Sequence, residues 1–341
     1  MISNKLGGLG NRIKDPRMFL SDFGLFLVLA ALFIYFSIAS PHFLNYQNFI
    51  NILTAVSIIG IISTAMTLVI IGRGPDLTVG AVVAMAGCIQ AYLVLINGFP
   101  WWVGILASLG IGLLVGFLNG IIIVKFNLPP FIVTLAMMNV VRGLAFVMVD
   151  GMAHFVNNPH LLFLGRFRLF ADTPARLGLN FGAAWRGIPL LIFVLIAAFI
   201  VFDFISKKTV FGRQVYASGG NRTAARLAGI NVSKITVLLF VLSGLMASIA
   251  GIALVGVGGA ALPSIGEAYP LDAITAVLLG GTSLAGGVGS VRRTMIGILI
   301  IGIINNGMAL MNVQTFWQLA ARGAILLAAI ILDSMQHKSK N

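Results

Sequence analysis

The sequence predicts an all-α polytopic membrane protein of about ten spanning helices, and three observations carry that prediction. Of 341 residues, 59% are hydrophobic and only 9% are charged, where a soluble domain holds roughly 25% charged residues. The apolar residues fall in runs close to the roughly 20 that a spanning helix needs. The 22 Lys and Arg cluster between those runs, the bias expected of loops on the cytoplasmic side of a membrane. The missing surface charge means that the outer face meets lipid. The prior of about 100–200 residues per soluble domain does not then apply, and residues 1–341 are read as one transmembrane domain.

In chain order the expected spans are 23–40, 51–71, 78–96, 102–124, 131–149, 188–206, 234–257, 270–284, 294–311 and 316–333. The N-terminus through Arg17 has no apolar h-region and no small-residue cleavage site. The first run is therefore a retained span behind a tail, residues 1–22, rather than a cleaved signal. The third run contains Cys88, the single cysteine, which excludes both a disulfide framework and a cysteine zinc cluster. Between the fifth and sixth spans lies a long loop, 150–187, with a short interfacial helix expected around His160–Arg168. Between the sixth and seventh lies the most polar stretch of the chain, 207–233. Loops of this length usually carry function or a docking surface.

An even number of spans places both termini on one side. With the termini inside, 16 of the 22 basic residues sit at cytoplasmic ends. Arg166, Arg168, Arg176 and Arg186 in the outer loop go against the bias, and Arg142 and Arg322 lie within apolar runs. The net charge of +13 thus reflects topology and not a nucleic-acid face. The four His show no pair at metal spacing and the nine acids form no close carboxylate pair. No catalytic residue, metal site or cofactor is expected, and a membrane-embedded lipid transferase or hydrolase is disfavoured.

Three patterns recur in the same order in the two halves. Asp76 opens DLTVGAVVAMAG and Asp272 opens DAITAVLLGG; Asn119-Gly120 is echoed by Asn306-Gly307; Arg142-Gly143 is echoed by Arg322-Gly323. They fall on the third to fifth and the eighth to tenth spans, which run in opposite senses. This is the pattern of an inverted repeat, with a solute path between the halves. A central Arg or Asp costs roughly 2.5–3.5 kcal/mol to insert. Arg142 and Arg322 are thus expected to face the bundle interior, with Asp76 and Asp272 as candidate partners. These residues, with Asn119 and Asn306, either line the path or lock helices together. The Gly-rich stretches 256–266 and 280–290 flank the eighth span, but GGTSLAGG lacks the Lys-Ser/Thr ending of a P-loop, and no ATP site is visible.

The inner loop reads YASGGNRTAARLAGINVSKI. Gly219-Gly220 suits a turn, Asn221 a cap, Thr223–Leu227 a short helix, and Gly229 its end. Such a helix, presenting Arg222 and Arg226 to the cytoplasm, suits the groove of a partner or lies unpartnered at the interface. The segment resembles the cytoplasmic coupling segment of ribose-type permeases of bacterial ATP-binding-cassette (ABC) importers, in Gly219-Gly220-Asn221, Ala224-Ala225-Arg226-Leu227 and Gly229-Ile230-Asn231-Val232. The resemblance extends to FLNYQNFINIL, LPPFIVTLAMMNVVRGLA, SGLMASIAGI, YPLDAITAVLLGGTSLAGG and INNGMALMNV, and so to most of the chain from about residue 43. One departure stands out. The family commonly opens its third span with Gly-Gly-Ile-Asp-Leu-Ser-Val-Gly, and this chain has Gly72-Arg73-Gly74-Pro75-Asp76-Leu77-Thr78-Val79-Gly80.

The resemblance implies a type II importer fold in the bacterial inner membrane with both termini cytoplasmic. It implies a cytoplasmic ABC ATPase subunit, an external or periplasmic solute-binding protein, a second permease copy or related chain, surrounding membrane lipid, and a small sugar or polyol as solute. Gly219, Gly220, Asn221, Ala224, Ala225, Arg226 and Gly229 would couple to the ATPase. The competing reading is a stand-alone secondary transporter driven by an ion gradient, with Asp76 and Asp272 as ion sites.

Overall fold

The computed structural model describes residues 16–171 and 187–338; Arg176 and Arg186 lie outside them. It is an all-α membrane protein. Ten helices occupy the ten expected spans: α1 (Pro16–Ala39), α2 (Tyr46–Ile71), α3 (Val79–Gln90), α4 (Trp101–Phe126), α5 (Pro130–Met148), α7 (Leu190–Lys208), α10 (Val232–Gly258), α11 (Tyr269–Leu279), α12 (Val291–Leu310) and α13 (Thr315–Lys338). The three others are α6 (Pro159–Arg166) in the 150–187 loop, and α8 (Val210–Gly220) and α9 (Arg222–Leu227) between α7 and α10. Among the described residues, eight helices are long and apolar enough to cross a membrane, counting α3 with its π-helical continuation Ala91–Ile96. Gly24–Ala39 of α1 and the whole of α11 are shorter apolar helices.

One boundary differs from the sequence reading for a local reason. The eighth span stops at Leu279 rather than at 284, because Gly280 caps it and Gly281 turns the chain at φ +78°, a conformation that Gly adopts without steric cost.

The packing exchanges one half for the other. α10 lies on α3 and α4, and α2 lies correspondingly on α11 and α12. α3 packs on α4 and α5, as α11 packs on α12 and α13, while α2 and α10 pack on each other at the centre. The α4–α10 seam is the closest. Gly112 and Gly116 sit where an added Cβ would strike backbone at Gly244 and Phe240, the small-residue spacing that lets membrane helices approach. α2 is buried along 89% of its apolar window, whereas α13 is buried along only 6%. The core therefore forms around α2, α3 and α10, and α13 lies at the periphery.

Side-chain and strand contacts mark two ends. At one end the 209–231 segment meets the 280–290 loop, with the Tyr216 hydroxyl donating to the Gly289 carbonyl at 3.0 Å. At the other end β1 (His154–Phe155) pairs antiparallel with β4 (Ala260–Ala261), and β2 (Arg168–Leu169) with β3 (Ile188–Pro189). There too Trp101 stacks on His160 at 4.9 Å.

Candidate functional site

The repeat-related helices α3 and α11 meet N-terminus to N-terminus. Gly80 lies against the Gly266 carbonyl, and Gly266 against the Gly80 carbonyl, so a Cβ at either would collide with the other's backbone. Short or broken helices whose N-termini converge inside the bundle are a recurrent basis of transporter sites. Each N-terminus carries an Asp, which complements the positive end of a helix dipole.

At α3 the carboxylate is sealed. Asp76 is fully buried, and its Oδ1 accepts hydrogen bonds from the Thr78 backbone N–H, at 2.9 Å, and from the Thr78 hydroxyl. Asn119 on α4 donates from Nδ2 to Thr78 Oγ1 at 3.1 Å, and Thr134 on α5 donates to the Pro75 carbonyl at 3.4 Å. The 75–78 turn is thus tied to two neighbouring helices. Arg142 is not Asp76's partner. Its Nη1 donates to the carbonyls of Pro263 and Ile265 at 2.6 and 2.7 Å, holding the segment before α11 in place.

At α11 the carboxylate is also buried, at 3% exposure, but it lies on the wall of a cavity. Asp272 Oδ2 lies 3.7 Å from Arg322 Nη1 on α13, and Arg322 Nε donates to Asn305 Oδ1 on α12 at 3.0 Å. Together they line a cavity of about 620 Å³ that also takes in Asn51 and Thr54 of α2, Tyr269, and Arg166 and Arg168 from the outer-loop side. That volume is ordinary for a small-molecule site. Asn306 is not part of it: its amide and that of Asn48 on α2 exchange hydrogen bonds at 2.8 and 3.1 Å, which ties α12 to α2. Of the six intramembrane residues singled out by the repeat, Asp272 and Arg322 are brought together. Asp76 and Asn119 meet through Thr78, while Arg142 and Asn306 serve other contacts.

The 207–233 segment forms a second surface. Gly219-Gly220 is not a turn but the last two residues of α8. Gly219 is required where it stands, since a Cβ there would strike the Ile71 carbonyl at the end of α2. The turn is made at Asn221, whose Oδ1 caps α9 by accepting from the Ala224 N–H at 3.0 Å. Gly229, at φ +78°, releases the chain after α9, and Asn231 caps α10 through the Lys234 N–H. Ala225 is buried, whereas Gly220, Asn221, Ala224, Arg226 and Gly229 are exposed.

Two arginines fasten this segment to the core. Arg73, at φ +64° in the turn after α2, donates from Nη2 to the Gly220 carbonyl at 2.7 Å. Arg222 donates in return to the Gly72 carbonyl at 3.4 Å. Burial, and then the charges of Arg73 and Arg226, push the Arg222 guanidinium below its usual value, yet an Arg remains charged at any physiological pH. Burial likewise raises the Tyr216 phenol, with Asp203 adding to it.

Several participants escaped the sequence reading. Asn305 carries the Arg322 contact, one position before the Asn that the repeat pattern picks out. Arg166 and Arg168 line the cavity. Leu227, at the tip of α9, is 86% exposed. A large apolar side chain left in the open on a polar loop was a signal available in the sequence.

The family described as "Branched-chain amino acid transport system / permease component" matches residues 48–330. The ribose import permease protein RbsC of Bacillus subtilis (strain 168) is 39% identical over 91% of this chain and 92% of its own length. The L-arabinose transport system permease protein AraH of Escherichia coli (strain K12) is 38% identical over 94% and 92%. The L-arabinose ABC transporter permease protein AraH of Azospirillum brasilense is 36% identical over 93% and 88%. No solved structure matches the chain.

Proposed function

The chain belongs to this family of transport-system permease components, and from that premise we propose that it is the membrane-spanning subunit of an ABC importer for a small sugar of the pentose or hexose class, or a related polyol. The observation that carries the reading is near full-length similarity to permeases named for ribose and L-arabinose. The solute is translocated between the two inverted halves, past the α3–α11 crossing, and undergoes no chemistry. Each helix N-terminus there is already complemented by an Asp, so the crossing offers no bare positive dipole to an anion. Asp272, Asn305, Arg322, Asn51 and Thr54 offer a neutral solute the mixed donors and acceptors that hydroxyl groups require.

The motor is a cytoplasmic ABC ATPase that seats α9 in a groove, with Leu227 as its apolar anchor and Asn221, Ala224 and Arg226 around it. Ala225 and Gly219 act from beneath, holding α9 on α10 and α8 on α2. Movement of α9 reaches α2 and the Asp76 turn through Arg222 and Arg73. An external binding protein delivers solute at the opposite end. A second copy covers the apolar faces left open on α5 and α13, where Val147 and Phe316 are 74% and 81% exposed. The basic end, with Arg73, Lys125, Lys207, Arg213, Arg226 and Arg293, faces the cytoplasm of the inner membrane, and both termini lie there.

The test is uptake of labelled ribose, arabinose, xylose and hexoses by cells carrying this permease with its neighbouring ATPase and binding protein. Uptake is expected to vanish when the ATPase is disabled and to persist when ion gradients are collapsed. The opposite result would establish the ion-driven reading. Leu227→Asp is expected to lower solute-stimulated ATP hydrolysis by about thirtyfold, the worth of a roughly 2 kcal/mol interface anchor, with membrane insertion unchanged. Wild-type hydrolysis in that variant would remove α9 from the coupling route.

A further inference from the structure

A cleft on the lipid-facing side of α12 is built differently from the rest of the apolar surface. α12 packs on α1 at one side and on α7 at the other. Two cavities open beside it. The first, about 540 Å³, lies between α7 and α12, with Phe199, Ile200, Phe204 and Met295 as its apolar walls and Lys207, Lys208, Arg292 and Asp203 at its mouth. The second, about 400 Å³, lies between α1 and α12, and its lining (Phe26, Phe33, Ile34, Leu299 and others) is wholly apolar. Arg292, Met295, Leu299 and Ile303 follow one another at helical spacing, so the two cavities are consecutive along one stripe of α12.

We propose that this cleft is a binding site for one anionic phospholipid, its phosphate at Lys207, Lys208 and Arg292 and its acyl chains along the Met295–Leu299–Ile303 stripe. Charge complementarity fixes the headgroup class. Asp203 accepts Lys207 at 2.6 Å and Arg292 at 2.9 Å, which leaves one carboxylate against two cations, with Lys208 as a third at the same cavity and Arg292 74% exposed in its side chain. The positive end of the α12 dipole lies at the same place. Length fixes the tail. From Arg292 to Ile303 the helix rises about 16 Å at 1.5 Å per residue, close to one leaflet of a roughly 30 Å hydrocarbon core. Basic pockets between membrane helices on the cytoplasmic side are the setting in which acidic headgroups are recognised. The site does not depend on the importer reading, only on residence in a membrane.

The experiment is native mass spectrometry of the purified full chain titrated with dioleoyl phosphatidylglycerol or with dioleoyl phosphatidylcholine, which has the same tails. Phosphatidylglycerol is expected to bind at least tenfold more tightly, at about fivefold per cation near the headgroup. Lys208→Gln weakens phosphatidylglycerol by about fivefold and leaves phosphatidylcholine unchanged. Asp203→Asn strengthens phosphatidylglycerol by a similar factor, an effect that a merely structural carboxylate would not produce. Ala30→Trp fills the tail groove and weakens both lipids. Equal binding of the two lipids, or a ratio unmoved by both Lys208→Gln and Asp203→Asn, overturns the proposal. So does full displacement by millimolar inorganic phosphate, which would make the mouth a free-anion site and not a lipid site.

Discussion

Asp76 and Asp272 occupy equivalent places in the two halves, each at the N-terminus of a helix that meets its counterpart at Gly80 and Gly266, yet their surroundings differ in kind. Asp76 is sealed among Thr78, Asn119 and the turn at Pro75. Asp272 faces a cavity and shares it with Arg322 and Asn305. The same residue at the same position of a repeat is hydrogen-bonded into a turn on one side and buried on a cavity wall beside an arginine on the other. An inverted repeat that moves a solute needs this asymmetry at any instant, because a path open at both halves would leak.

The contrast is broken most severely at the sealed side. Asp76→Ala strands the Thr78 N–H and hydroxyl in a buried place, at about 1–3 kcal/mol for each unsatisfied group. Folded, monodisperse protein recovered from detergent is expected to fall sharply, with Asp76→Asn recovering most of it because an acceptor oxygen remains. If Asp76→Ala instead unfolds no more readily than Asp272→Ala, the difference in hydrogen bonding has no energetic meaning.

Arg142→Gln comes next. Wild-type Arg142 holds two carbonyls of the segment before α11, and Gln keeps reach for one at most. A loss of about 1.5–3 kcal/mol follows for one charged hydrogen bond, read as earlier unfolding in a denaturant series. A loss of uptake without any loss of stability would mean that Arg142 meets solute instead of backbone.

On the open side function should suffer before stability. Asp272→Asn is expected to cut uptake by about tenfold, matching one charged contact of about 1.5 kcal/mol, while stability changes by under about 1 kcal/mol. The small stability effect follows because the Asp272 side chain is only 4% exposed and lies 3.7 Å from Arg322, so that the cost of desolvating the carboxylate largely offsets the gain of the pair. In a double-mutant cycle with Arg322→Gln, non-additive uptake would sharpen the comparison; strictly additive losses would separate the two residues.

Much of this was legible in the sequence. The long spans follow from hydropathy because a helix that crosses the membrane must be apolar along about 20 residues whatever its neighbours do, whereas α11, with 11 residues, shows only as a shorter apolar run. Asn221 and Gly229 were legible because caps and left-handed turns are local chemistry. What was not legible depends on rotation about a helix axis. A shift of one residue turns a helix by about 100°, enough to put Asn305 beside Arg322 and to turn Asn306 toward Asn48. A buried Arg142 needs acceptors, but a carboxylate, water or backbone carbonyls serve equally well, and no sequence pattern distinguishes them. Gly219-Gly220 was read as a turn because Gly favours turns. The structure uses Gly219 instead for close approach to α2, which only the fold could reveal.

The smallest effect should come from Arg73, the residue that departs from the family pattern beside the sealed carboxylate. Its left-handed backbone costs a non-Gly residue about 1–2 kcal/mol, while its hydrogen bond to Gly220 returns about 0.5–1.5 kcal/mol. Arg73→Gly removes both and should leave stability within about 1 kcal/mol of wild type. What it removes is one of two ties between the 209–231 segment and the turn that carries Asp76, the other being Arg222. Solute-stimulated ATP hydrolysis should therefore fall relative to basal hydrolysis, by a few-fold and not wholly, because Arg222 still holds the Gly72 carbonyl. A matched loss in the two rates would show that the sealed half moves independently of α9, and that Arg73 only closes a turn.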